Sequence, residues 1–237
     1  AGLLTVKTKL AFGIGATGEA ATNWIFSGIT FFFYNQVLGL SGSLTGFAVL
    51  IAIIFDAISD PIMGSISDRF KSKLGRRHPF MFFAPFPTVL AICLMFFPPE
   101  GLSDYGLFAW LIGTTIVLRI SITLFAVPHL ALGAELSEDY IERSRVMSYN
   151  NLLGYMGVII MHIFAWFLVF PNFAGEEIGQ LNQAAYTPIV IFSTILIALC
   201  ILLSAYFTKD RIPYLKKPPD DAPKIGILDL FQDIVGA

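Results

Sequence analysis

Two aspartates, Asp56 and Asp60, stand four residues apart inside the apolar run from Leu44 to Met63. On a helix, residues i and i+4 share a face, so the two carboxylates point the same way. Holding each at the centre of a membrane helix costs roughly 2.5–3.5 kcal/mol on insertion scales, which places them against a polar cavity or a partner rather than lipid. Such a pair can bind a cation or carry a proton, because like-charge repulsion and desolvation raise the proton affinity of one acid. An ion pair that only holds a bundle together is the other reading. Arg119 is the one Lys or Arg well inside an apolar run, and it needs a counter-charge from Asp56, Asp60 or Glu19. It can pair with the acids in one state and release them, bind an anionic group of a substrate, or simply neutralise a buried acid. Thr123 lies one turn further along the same face. Glu19, Thr22 and Asn23, in a Gly-rich first segment, either line a cavity or pack helices. His129, beside Pro128, and His162 read as satisfied histidines of a bundle.

These groups need long helices to carry them, and the composition supplies them. Hydrophobic residues are 56% of the 237 and charged residues 14%, against about 45–50% and 25% in soluble domains. This is an integral membrane protein. About 20 apolar residues cross a bilayer, and six such stretches are expected: Leu10 to Tyr34, Leu44 to Ile66, Phe80 to Phe97, Leu107 to Leu132, Val146 to Phe170 and Pro188 to Phe207. The first, broken by Gly13, Gly15, Gly18, Glu19 and Asn23, reads as a retained helix rather than a signal peptide. Lys and Arg cluster before the first span and after the second, fourth and sixth, whereas Gln36 to Ser43, Pro98 to Gly106 and Pro171 to Thr187 contain none. The positive-inside rule then puts both termini in the cytoplasm of a plasma or inner membrane.

Beyond a six-helix unit at residues 1–209, residues 210–237 read as a cytoplasmic extension. It comprises a Pro-rich tether from Lys216 to Pro223 and a short amphipathic helix from Ile225 to Val235. Cys93 and Cys200 lie in apolar runs and suggest neither a disulfide nor a metal site. A formal net charge of −2 says nothing about partners, and with no basic surface to suggest it, nucleic acid is not an expected partner. There is no activated nucleophile, phosphate loop or metal-ligand spacing, so neither an enzyme nor a cofactor is expected.

The second span and the loop after it carry Asp56, Ser59, Asp60, Pro61, then Gly64 to Asp68-Arg69, then Gly75-Arg76-Arg77-His78-Pro79. Pro128-His129 through Gly133-Ala134-Glu135-Leu136, followed by Asp139 to Arg143, extends the pattern. The composite resembles the glycoside-pentoside-hexuronide:cation symporters, the melibiose-permease group of the major facilitator superfamily. The resemblance implies an all-α membrane fold and cation-coupled symport of a small organic solute such as a sugar or glycoside. A complete member has twelve spans, so it also implies that this chain corresponds to an amino-terminal half with six. Carried over position by position, the cation site is Asp56, Ser59, Asp60 and Thr123, with Asp56 and Asp60 holding sodium if the coupling ion is not a proton.

Solute-binding positions transfer less directly. The group's Lys-Asp pair of the first helix is Glu19 and Ala20 here, its fourth-helix Asp and Trp are Ala126 and Leu130, and its fifth-helix Arg is Asn151. Glu19, Asn23, Arg119 and Asn151 are therefore the candidate solute residues, and a galactoside held by the group's network is not expected. Asp68, Arg69, Arg76 and Arg77 are candidates for a gating latch, because an Arg cluster can bind acids and helix carboxyl ends. Glu135, Glu138, Asp139 and Glu142 are their expected charge partners. The expected surroundings are membrane lipid, the solute, and a second six-helix half, a homodimer mate or another membrane subunit. The alternative is a non-transporting accessory subunit of a larger membrane complex that has inherited the acidic pair.

Overall fold

The structure, a computed structural model, describes residues 4–175 and 178–215; the Pro-rich tether and the Ile225–Val235 helix expected from the sequence lie outside these residues. Six long helical rods follow one another, with no strand among the described residues. α1 (Val6–Trp24) continues through π-helical turns at Ile25–Ile29 and Phe33–Val37. α2 is Gly42–Arg69 and α3 is His78–Phe96, jointed at Ala84. α4 is Asp104–Glu135, α5 is Tyr140–His162 with a π-helical continuation Ile163–Val169, and α6 is Tyr186–Thr208.

Three of the starts have a side-chain cap as their local cause. Ser41, Ser103 and Asp139 accept from the backbone N–H of Leu44, Gly106 and Glu142 at 3.3, 3.2 and 2.8 Å, satisfying donors that a helix N-terminus leaves orphaned. The first π turn is stabilised from within, since the Thr30 hydroxyl donates to the Ile25 carbonyl at 2.8 Å. Gly75, with φ +73°, turns the chain between α2 and α3 in a conformation that side chains with a Cβ disfavour.

Of the six spans expected, five rods, α2 to α6, are long and apolar enough to cross a membrane. α1 with its extension falls outside that group because Thr17, Glu19, Thr22, Asn23 and the glycines dilute its apolar content. Those residues instead serve packing and the site.

α1 packs against α5 and α6, α2 against α4, and α3 against α4 and α6. Small residues let α1 and α5 approach closely, as membrane helices do without a hydrophobic drive between them. A Cβ at Gly157 would lie 2.6 Å from the Thr17 carbonyl oxygen and 3.0 Å from its Cα. Nearby, the Thr17 hydroxyl donates to the Leu153 carbonyl at 2.9 Å. Gly157→Ala should therefore cost about 1–3 kcal/mol, since backbone cannot step aside. Gly154→Ala, whose Cβ meets Ala16 at an ordinary 3.7 Å, should change stability by less than about 0.5 kcal/mol. Unfolding titrations in detergent that gave equal losses for both would contradict this packing.

Burial is uneven. In the apolar stretches of α2 and α5 only 17% and 22% of residues are buried, against 44–50% in α3, α4 and α6. The acids of α2 and the amides of α5 thus sit on the least covered rods.

Candidate functional site

α2 and α4 run parallel, as alternate helices of an up-and-down chain do, and this brings two i, i+4 pairs into register. Asp56 faces Arg119 and Asp60 faces Thr123, each pair 63 residues apart in the chain. Arg119 Nη2 donates to Asp56 Oδ2 in an ion pair, and the Thr123 hydroxyl donates to Asp60 Oδ1 at 2.9 Å. The Arg119 side chain is 15% exposed and that of Asp56 19%. Asn23 of α1 completes the upper rung, its Oδ1 accepting from Arg119 Nη1 at 2.7 Å. The Phe26 ring lies 5.1 Å from the guanidinium carbon, a cation–π distance. Arg119 Nε is buried without a partner.

Not all the expected ligands converge. The Ser59 hydroxyl donates to the Asp56 backbone carbonyl at 3.2 Å, inside its own helix. Asp60 is exposed along α2 apart from its Thr123 contact. Among the described residues no three His, Cys, Asp or Glu side chains gather as metal ligands. The assembled unit is a ladder of one ion pair and one hydroxyl–carboxylate bond, which can exchange a proton or rearrange around a cation.

Beside the ladder, between α1 and α5, lies an open cavity of about 240 Å³ lined by Glu19, Asn23, Asn150, Asn151 and Tyr155 together with small residues. It unites three of the four candidate solute residues. Arg119 is outside its lining and reaches it only through Asn23. Glu19 has neither an ion pair nor a hydrogen bond among the described residues, although Arg119 and Asp60 lie within electrostatic range. Asn150 Oδ1 is buried and unpartnered. Asn150 and Tyr155 escaped the sequence reading; the signal that could have found them is an Asn pair in an apolar helix with an aromatic residue one turn on.

At the loop end of the bundle, Glu135 at the end of α4 accepts from both Arg76 and Arg77, the latter at 2.8 Å. Arg77 also reaches Asp68 Oδ1 at 3.2 Å, and Arg76 donates to the Asp68 backbone carbonyl at 3.3 Å. Burial lowers the pKa of Arg77 from its usual value and Glu135 opposes that, but an arginine stays cationic throughout. Arg69, the fourth latch candidate, closes the last turn of α2, where a cation complements the helix dipole.

Other acids went elsewhere. Glu142, expected beside the arginine loop, instead pairs with Lys9 at 2.5 Å and with Arg145 at 3.3 Å, because α5 docks on α1 and not over the α2–α3 loop. Asp139 caps α5, and Glu138 is exposed. His129 is the satisfied bundle histidine expected, its Nε2 2.9 Å from the Phe12 carbonyl and its ring stacked on Phe12 and Phe125. His162 is satisfied as well, its Nδ1 accepting from the Trp24 indole of α1 at 2.7 Å, although the residue is exposed.

Residues 11–236 match the sequence profile of a family described as MFS/sugar transport protein. The uncharacterized symporter sll1374 of Synechocystis is 32% identical over 76% of this chain and 34% of its own length. The inner membrane symporter YicJ of Escherichia coli is 28% identical over 98% of this chain and 48% of its own length. The lactose permease of Leuconostoc lactis is 24% identical over 95% of this chain and 37% of its own length. The chain thus spans between a third and a half of the relatives it matches.

Proposed function

The chain belongs to the MFS/sugar transport protein family, and from that premise we propose that it forms the ion-handling part of a cation-coupled symporter for a small organic solute, with sugars and glycosides as the first candidates. The ladder carries this reading: two carboxylates on α2 face a guanidinium and a hydroxyl on α4, in a helix that would otherwise be spared the cost of both charges. The relatives named as symporters and as a lactose permease support it.

The adjoining cavity suits a neutral, hydroxyl-rich solute. Asn150 and Asn151 offer donors and acceptors, Asn23 offers its amide donors while its oxygen is held by Arg119, Glu19 offers a carboxylate that can accept from solute hydroxyls, Tyr155 offers an apolar ring face, and no Lys or Arg lines the space. In this fold the solute site lies between two six-helix units that rock against each other. The polar face of α1, α2 and α5 is accordingly covered by a second such unit, by a copy of this chain or by another membrane subunit, since charges cannot rest against lipid. Both termini and residues 210–237 then lie on the cytoplasmic side, where Asp68, Arg69, Arg76 and Arg77 form the latch.

The test is Asp60→Asn in a transport-competent assembly. Accumulation against a gradient should fall at least about tenfold, while solute exchange persists because the solute cavity is intact. Accumulation at the original level would sink the assignment.

A further inference from the structure

We propose that the crevice between the start of α1 and the end of α6 binds an anionic phospholipid of the cytoplasmic leaflet, with an acyl chain in the crevice and the phosphate against Lys7. The site is separate from the ladder and the solute cavity, and it shares with the transport reading only the cytoplasmic placement of both termini.

The crevice has a volume of about 410 Å³, its walls are Leu10, Ala11 and Ile14 of α1 with Leu203 and Phe207 of α6, and Lys7 is the one charged residue that lines it. Ala11 puts only a methyl between the two helices, and the larger side chains on either side, Leu10 and Leu203, stay 45% and 38% exposed. Leu10 and Glu19 are nine residues apart, as are Ala11 and Ala20, which is about two and a half helical turns. The crevice therefore lies on the opposite side of α1 from the solute cavity, which Glu19 and Ala20 line. An apolar wall turned away from the polar face meets hydrocarbon, and an acyl chain fills it without burying a polar group. Any lipid would satisfy that wall; the charge at its end selects among them.

Lys7 Nζ lies 5.8 Å from the centroid of the Phe207 ring and has no carboxylate partner among the described residues, whereas Lys9 is buried against Glu142 at 2.5 Å. Arg211 donates to the hydroxyl of Thr8, the neighbour of Lys7, at 2.9 Å. Lys209 Nζ stands 4.1 Å from the centroid of the exposed Tyr206 ring, a pairing of aromatic and cation typical of headgroup depth. Asp210, 3.9 Å from Arg211 Nε, offsets one of these three cations and leaves two in excess. A lipid phosphate brings the missing negative charge and acceptors for the three N–H donors of Lys7. Anionic lipids of the cytoplasmic leaflet are drawn to such basic ends between helices, while a choline headgroup would set its own cation among them. A second copy docked here about a two-fold axis normal to the membrane would bring its Lys7 to the same depth, cation against cation.

The full-length chain, delipidated in detergent, is titrated with dioleoylphosphatidylglycerol, dioleoylphosphatidylcholine or inorganic phosphate, and the first bound molecule is followed by native mass spectrometry. Wild type should bind phosphatidylglycerol at least about fivefold more tightly than phosphatidylcholine, and inorganic phosphate not at all at the same concentrations. Lys7→Gln should lose about fivefold for phosphatidylglycerol and nothing for phosphatidylcholine, and Lys7→Arg should keep the preference. Leu203→Trp, which fills the crevice from its exposed rim, should weaken both lipids. Lys73→Gln, at an exposed cation of the α2–α3 loop, should change neither. Equal affinity of wild type for the two lipids would overturn the proposal, as would equal losses in Lys7→Gln and Lys73→Gln. Binding of inorganic phosphate, or phosphatidylglycerol binding that Leu203→Trp leaves intact, would show a bare anion contact with no seat for a chain and would also overturn it. A lipid-free dimer that Leu203→Trp dissociates would make a second copy the occupant, with the same consequence. None of these results bears on accumulation by Asp60→Asn, so this site and the coupling site stand or fall separately.

Discussion

Glu135→Ala should destabilise the protein by about 3–5 kcal/mol, the usual loss when one member of a buried ionic group is removed. Glu135 and Arg77 are 11% and 4% exposed, and a single carboxylate oxygen of Glu135 serves both Arg76 and Arg77. Without it, the two adjacent guanidiniums retain, among the described residues, Asp68, whose side chain is 55% exposed. Asp68 is well solvated and screened, so Asp68→Ala should cost less than about 1 kcal/mol. The further change Arg77→Gln in the Glu135→Ala background should recover part of the loss by removing a stranded charge. Denaturant titrations in detergent provide the measurement; equal, small losses for Glu135→Ala and Asp68→Ala would show that the α4 carboxylate is not the centre of the clamp.

Arg119→Ala should cost about 3 kcal/mol, at the low end for a buried pair because both side chains keep some exposure, and Asp56→Ala should cost a similar amount. Together they should cost much less than the sum, giving a coupling energy of about 1–3 kcal/mol in a double-mutant cycle. The cycle belongs in choline salts, so that no metal ion fills the gap left by the guanidinium. A parallel cycle between Arg119 and Asp60 should give less than about 0.5 kcal/mol, since Asp60 is bonded to Thr123. Coupling to Asp60 in place of Asp56 would mean that α2 and α4 pack one turn out of the register described.

Much of this was legible in the residues alone, for reasons that are local. The apolar content fixes a membrane as solvent, and segments of bilayer length delimited by charged loops follow directly. The i, i+4 spacing places Asp56 with Asp60 and Arg119 with Thr123 on single helix faces, whatever those helices touch. The need of Arg119 for an anion is equally a matter of intrinsic solvation. Only the tertiary structure decided which of three acids answers it. That choice belongs to the parallel register of α2 on α4, which matches residues 63 apart.

The same reason explains what the sequence reading misplaced. Glu142 belongs to Lys9, and Asn150 joins Asn23 around a cavity, because glycines at 13 and 157 let α5 close on α1. Ser59 spends its hydroxyl on its own helix, an option open to any serine on a helix and chosen only once no neighbour competes. Hydropathy and helical period act within a segment and can be read along it. The pairing of charges depends on distances between segments, which no run of residues contains until the helices pack.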